Sequence, residues 1–244
     1  SIILDSVKVS GFAGSWPQVY LNQNTNVQMN NCIVQDCTNA SGIQVWNGAC
    51  LEMNACTIST CLANRNAGAI KNNGTLILNN CELRNNQAGY NTTDFHTGGA
   101  LENGGECIII GGSIIGNSAK VGGGINNTGV LSLTDTYVYG NTSGLPQGSD
   151  IFNSGSSLTI AYSGELTDIY TDKGLIPLGW YTDFNGQDSE YYGISFTATE
   201  TAALVFKQEA PTPPVDPPPV EPDPPTQPID PEPDEPAPDV PEEP

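Results

Sequence analysis

The chain has 244 residues, with 27 Asp or Glu against seven Lys or Arg and a formal charge of −20. Sixteen of its 19 prolines and ten of its acids fall after Glu209, which leaves −10 for residues 1–209 and marks out one acidic domain followed by a tail. This balance argues against counterion-release binding to nucleic acid and against attraction to anionic lipid, and no apolar run approaches the roughly 18 residues of a membrane span.

Ser1 opens no charged and apolar leader, so the sequence reads as part of a longer chain. From there to Ile160 it repeats. An apolar-any-Asn triplet recurs as Tyr20-Leu21-Asn22, Val45-Trp46-Asn47, Ile70-Lys71-Asn72, Leu101-Glu102-Asn103, Ile125-Asn126-Asn127 and Ile151-Phe152-Asn153. The asparagines are 25, 25, 31, 24 and 26 residues apart. Each triplet is followed by an apolar pair two apart: Val27/Met29, Leu51/Met53, Leu76/Leu78, Ile108/Ile110, Leu131/Leu133 and Leu158/Ile160, with Ile2/Leu4 opening the series. A third inward pair reads Val7/Val9, Cys32/Val34, Cys56/Ile58, Cys81/Leu83, Ser113/Ile115 and Thr136/Val138, with one turn between Cys107 and Asn117 a residue short.

Period-2 spacing inside each repeat excludes helical repeats, whose inward residues would fall at i, i+3 and i+4. A leucine-rich horseshoe would bring one strand and a helical return. Three short strands per period, separated by Gly and Asn turns, instead predict an all-β fold: a right-handed single-stranded parallel β-helix of about six triangular coils stacked about 4.8 Å apart. Equivalent residues then form columns. Asn22, Asn47, Asn72, Asn103, Asn127 and Asn153 are expected to form a structural ladder of side-chain amides, since they recur on every coil whereas a functional site is local.

The segments Gly68-Ala69-Ile70, Gly98-Gly99-Ala100-Leu101 and Gly123-Gly124-Ile125 alternate with Leu83-x-x-Asn86, Ile114-x-x-Asn117 and Val138-x-x-Asn141. Over about residues 1–160 this pattern resembles the paired GGAI and FxxN repeats of polymorphic outer membrane proteins, with Cys37 and Cys61 standing where the Asn would be. The resemblance implies a right-handed β-helix on an exported, often adhesive, bacterial cell-surface protein.

After Ile160 the next inward pair would be Ser163/Glu165, which breaks the pattern. Residues 161–209 are therefore expected to form a small C-terminal β cap, using strand-like runs at Tyr191 to Thr197 and Ala202 to Lys207 and the apolar segment Leu175 to Trp180. Residues 210–244 have too few large apolar side chains for a core, and they read as a disordered, extended Pro-rich acidic spacer.

Cys32, Cys56 and Cys81 share one column and Cys37 and Cys61 another. The favoured reading is reduced, inward thiols, with a Cys37–Cys61 bond the alternative. No Cys-x-x-Cys and only one histidine, His96, give no metal site, and no cofactor motif is present. No catalytic residue is identified: the basic residues scatter, and Lys71 and Glu102, adjacent in the Asn strand, suggest a surface ion pair.

The one irregularity is an insertion of roughly seven residues in the Asn72 to Asn103 period. Its Tyr90, Asp94, Phe95 and His96 could stack on a sugar ring and hydrogen-bond its hydroxyls. Trp46 is outward beside Leu21, where either a flanking loop such as Gly11 to Trp16 covers the pair or the Trp16/Trp46 face is a second, exposed candidate contact patch. The expectation is a non-enzymatic extracellular surface module, adhesin-like or stalk, monomeric within a larger chain. Its partner would be a polysaccharide or a host-surface glycoprotein. The alternative is a fragment of a polysaccharide lyase or glycoside hydrolase whose catalytic coils lie elsewhere.

Overall fold

A computed structural model describes residues 1–145, 147–154, 157–164, 176–184 and 190–209, so the spacer predicted at 210–244 lies outside the described residues. Residues Ser1–Pro211 form one compact unit. Among the described residues there is no helix, and the chain winds into a parallel β-solenoid of about six coils.

One sheet stacks the longest strands of the coils, from Ile2–Asp5 through Cys50–Asn54 and Thr75–Asn79 to Leu158–Ala161. A second runs from Lys8–Ser10 to Tyr137–Tyr139, and a third from Val19–Leu21 through Ile70–Asn72 to Ile151–Ser154. The three-strand coil predicted from the sequence gains a fourth, two-residue strand at Leu62–Ala63, Gln87–Ala88, Ser118–Ala119 and Thr142–Ser143. Two residues carry no period-2 signal, which is why the pattern hides it. Left-handed residues stack at the corners: Ser6, Asn31, Ala55, Asn80, Gly111 and Asp135, with φ between 50 and 66°, turn the chain out of the long strand. Most of these positions hold Asn, Asp or Gly, which tolerate that conformation.

Two predicted columns are corrected by the register. Val45 pairs with Asn72 and Leu21 pairs with Val45, so Asn22 and Asn47 fall outside the ladder, in exposed turns. In these two coils the inward pair is wholly apolar, Val19/Leu21 and Ile43/Val45, and sliding the strand to bring Asn inward would displace that pair from the core. Similarly, Cys107/Ile109 and Ile114 face inward rather than Ile108/Ile110 and Ser113/Ile115. Glu106 shares the parity of Ile108 and Ile110, so burying those two isoleucines would drag a carboxylate into the core. The structure leaves Ile110 45% exposed instead, and the expected short turn disappears.

The core is a continuous set of columns, among them Met29, Met53, Leu78, Ile109 and Leu133, and each such side chain contributes roughly 1.5–3 kcal/mol. Beside them the thiols of Cys56 and Cys81 donate to the Met29 and Met53 carbonyls at 3.3 Å, and Thr136 repeats the contact to Ile109 at 3.4 Å. A small S–H or O–H donor therefore suits this column. The hydrogen bond with Cys56 and then burial push the Cys81 thiol well above its ordinary range, and burial does the same to Cys107. Cys32, Cys56, Cys81 and Cys107 should be alkylated only after denaturation, whereas half-buried Cys50 labels in the native state. Rapid native labelling of all five, followed by mass spectrometry, would overturn the inward placement. Cys37 and Cys61 are joined in a disulfide with Cα atoms 4.3 Å apart, which corrects the reading of that pair as reduced. Both side chains point inward in one column on adjacent coils, so they face each other with nothing between.

The last coil is closed by antiparallel strands. Thr201–Glu209 pairs with Ile151–Ser154, Phe196–Ala198 pairs with Leu158–Ala161, and Ile176–Thr182 extends the sheet. Trp180 and Phe206 are fully buried in edge-to-face contact at 5.2 Å.

Under this closure lies Asp150, wholly buried. It accepts the N–H of Phe206 at 2.8 Å and the backbone and side-chain N–H groups of Asn141 at 3.2 and 2.8 Å. Burial, with a smaller push from Asp183, raises its carboxyl to about 6 from 3.8. The folded chain thus takes up a proton between those values, and the Asp150 contribution to stability is largest below the lower one and declines as pH rises to the upper. Urea titrations of wild type and Asp150→Asn should differ in slope by up to about 1.4 kcal/mol per pH unit in this window. A stability gap between the two that does not change with pH refutes the assignment.

Candidate functional site

The outward face of the third sheet carries one residue per coil in register: Tyr20, Gln44, Lys71, Glu102, Asn126 and Phe152. Parallel pairing holds these side chains in a straight row. Trp16 precedes the first of these strands and Trp46 follows the second, and both rings reach Tyr20. Trp16 and Tyr20 meet at 5.9 Å and Tyr20 and Trp46 at 6.4 Å, both edge-on. All three are exposed, Trp16 to 68%. Trp16 and Trp46 are thus exposed and grouped, and Tyr20, absent from the sequence prediction, contacts both. The Asn triplet set Leu21 outward in its place, and only the pairing with Gln44 turns Tyr20 out while Leu21 is buried.

Beside the trio lies a depression of about 390 Å³, lined among others by Trp16, Trp46, Ser41, Gln44, Arg65 and Lys71. A second, of about 480 Å³, is lined by Asn64, Arg65, Asn66, Lys71, Asp94, Phe95 and His96. Arg65, Asn66 and Lys71 belong to both. The inserted loop and the tryptophan face, two separate candidates in the sequence, thus flank one composite groove.

Asn66 fastens the loop. Its Oδ1 accepts the Thr97 N–H and meets His96 Nδ1, each at 3.2 Å. Since Asn66 Oδ1 is the acceptor, Nδ1 of His96 carries the proton of that contact, and its buried Nε2 has no hydrogen-bond partner among the described residues. Sequence reasoning missed Asn66, although an inserted loop has to lie over a neighbouring coil and Asn64-Arg65-Asn66 is the polar stretch of the preceding one. Phe95, 61% exposed, and exposed Asp94 line the groove, but Tyr90 does not join them. It is half-buried at the root of the loop, where its N–H is donated to the Ala63 carbonyl at 2.7 Å.

The expected Lys71–Glu102 ion pair is absent. Glu102 accepts from Thr97 Oγ1 at 2.6 Å and from Asn126 Nδ2 at 3.1 Å, and burial raises its carboxyl above the usual range. The ion pair found among the described residues is Arg84–Glu82, at 3.1 Å on the surface. No group of three or more His, Cys, Asp or Glu is placed to hold a metal ion among the described residues.

The arrangement offers exposed flat aromatic faces, amide and hydroxyl groups, and two cations along a shallow rigid groove. That is chemistry for holding a polar ring with an apolar face. Comparison of the chain with protein-family models, with curated proteins and with solved structures gives no match.

Proposed function

We propose that the chain is a non-enzymatic module of an extracellular surface protein, adhesin-like or stalk, that binds a saccharide in this groove. The observation that carries the reading is the continuity of the exposed Trp16–Tyr20–Trp46 cluster with the Phe95 loop through Arg65, Asn66 and Lys71. Exposed aromatics grouped on a rigid scaffold are costly to leave in water, and their faces match the C–H face of a pyranose ring. The amides of Gln44 and Asn66 are within the same groove to meet hydroxyls. The likeness of the Gly-Gly-Ala and x-x-Asn segments to polymorphic outer membrane protein repeats favours a bacterial cell-surface setting, with a polysaccharide or host glycoprotein as partner.

A panel of immobilised glycans, followed by tryptophan-fluorescence titration of each binder, tests this. Trp16→Ala, Trp46→Ala and Phe95→Ala should each weaken binding about tenfold, the scale of a lost aromatic contact at a binding surface. The bound polysaccharide should be recovered intact after long incubation with or without calcium, whereas shortened or unsaturated products would favour the lyase or hydrolase reading. Full binding by all three variants sends the proposal elsewhere on the solenoid.

A further inference from the structure

We infer that the groove selects an acidic saccharide, one bearing a carboxylate or a sulfate, through Arg65 and Lys71. The inference rests on the saccharide-binding reading above and adds the chemistry of the ligand. The chain carries only seven Lys or Arg against 27 acids. Of these, Arg84 is ion-paired with Glu82, Lys207 lies 4.8 Å over the Tyr181 ring, and Lys173 is outside the described residues. Lys8 stands exposed on the first coil, and Lys120 lines a separate depression with Asp94 on the far side of the loop.

Arg65 and Lys71 are the two that share one wall, and neither makes an ion pair among the described residues. Glu102 lies close enough to Lys71 for the two charges to attract, but neither it nor Asp94 forms an ion pair with Arg65 or Lys71 among the described residues. Glu102, beside Lys71 in register, has an oxygen held by Thr97 and Asn126, and Asp94 is an exposed residue of the second depression. A neutral sugar calls for aromatic faces and amides but for no such pair. An acidic one would place its ring against Trp16, Trp46 or Phe95 and its anionic group at the shared wall. There the planar guanidinium can take two oxygens at once and the ammonium supplies a point charge. In a protein of this net charge a polyanion would otherwise be repelled, so a local cationic wall is also what would set the binding register.

Three probes of matched length decide it: an oligogalacturonate, a dextran sulfate and a neutral dextran, titrated by calorimetry at low and at physiological ionic strength. Either or both acidic probes should bind at least about tenfold tighter than the neutral one, and their ratio identifies the acid group. Arg65→Gln/Lys71→Gln should erase the preference and flatten the salt dependence. Lys8→Gln/Arg84→Gln, which alters net charge equally outside the groove, should leave both unchanged. Equal affinity for neutral and acidic probes, with binding still lost in Trp16→Ala, overturns the acidic preference and leaves the groove standing. An equal loss in the two double variants reduces the preference to non-specific charge and overturns it as well. Binding of no saccharide overturns the groove reading and this inference together.

Discussion

Gly99→Ala is expected to leave little folded protein, with a loss of more than about 4 kcal/mol, in the range reserved for gross steric conflict. A Cβ at Gly99 would lie 2.0 Å from the Gly123 carbonyl oxygen and 2.6 Å from the Ser118 nitrogen. The same conflict is built into the neighbouring coils: a Cβ at Gly68 would meet the Gly99 carbonyl at 2.2 Å, and one at Gly123 the Thr142 carbonyl at 2.2 Å. The obstructing atoms are backbone: Ser118 N is held by its hydrogen bond to Asn86 O at 2.9 Å, and the segment carrying Gly123 O is held by Gly99 N–H to Gly122 O at 3.1 Å. They cannot give way without opening the stack. Gly140→Ala is the control. Its φ of 68° penalises an L side chain, but a Cβ there would meet nothing within 4 Å, so the cost should be about 1–2 kcal/mol. Urea unfolding followed by circular dichroism separates the two. Equal costs would mean that the Gly-Gly segments are needed for chain conformation and not for close approach.

That contrast explains how much of the molecule the sequence discloses. The Gly-rich segments, the period-2 pairs and the corner Asn and Gly residues all arise from one repeating geometry, so they recur along the coils and the fold can be read from them. Register is written more weakly. Tyr20-Leu21-Asn22 and Val45-Trp46-Asn47 fit the Asn triplet as strings, and only the apolar partners Val19 and Ile43 show that the strand lies one or two residues earlier. In Glu106-Cys107-Ile108-Ile109-Ile110 both parities are apolar enough to be buried, and the acid at the first position decides. The candidate groove is legible only in pieces. Its two halves are about 50 to 80 residues apart in sequence, and what unites them is the accident that Arg65, Asn66 and Lys71 are one coil beneath the insertion and one above Trp46. Asp150 had a visible signature, the sole charge at the small-residue position of its segment, yet its meaning appears only once Asn141 is seen to end against it.

Asn117→Ala should cost about 3–5 kcal/mol, while Asn47→Ala stays within about 0.5 kcal/mol of wild type, although both belong to the same residue type in the same repeat. Asn117 is wholly buried. Its Oδ1 accepts the backbone and side-chain N–H groups of Asn86 at 2.9 and 3.0 Å. Its Nδ2 donates to the Leu83 carbonyl at 3.0 Å, to the Ile115 carbonyl at 3.1 Å and to Asn141 Oδ1 at 2.9 Å. One truncation therefore orphans buried backbone groups on two coils and cuts the column running from Asn86 to Asp150. Each buried group left without a partner costs roughly 1–3 kcal/mol, and the apolar surroundings admit no replacement. Asn47 by contrast sits exposed in a turn, where water takes over whatever its amide does. The conservative Asn117→Asp change sharpens the point, because a carboxylate keeps the acceptor but sets negative charge against the Leu83 and Ile115 carbonyls. It should be at least as damaging as alanine at neutral pH and less so in acid, where the protonated form regains one donor. Equal stability of the Asn117→Ala and Asn47→Ala proteins in chemical denaturation would show that the inner amide column is dispensable, and that the apolar columns alone hold successive coils in register.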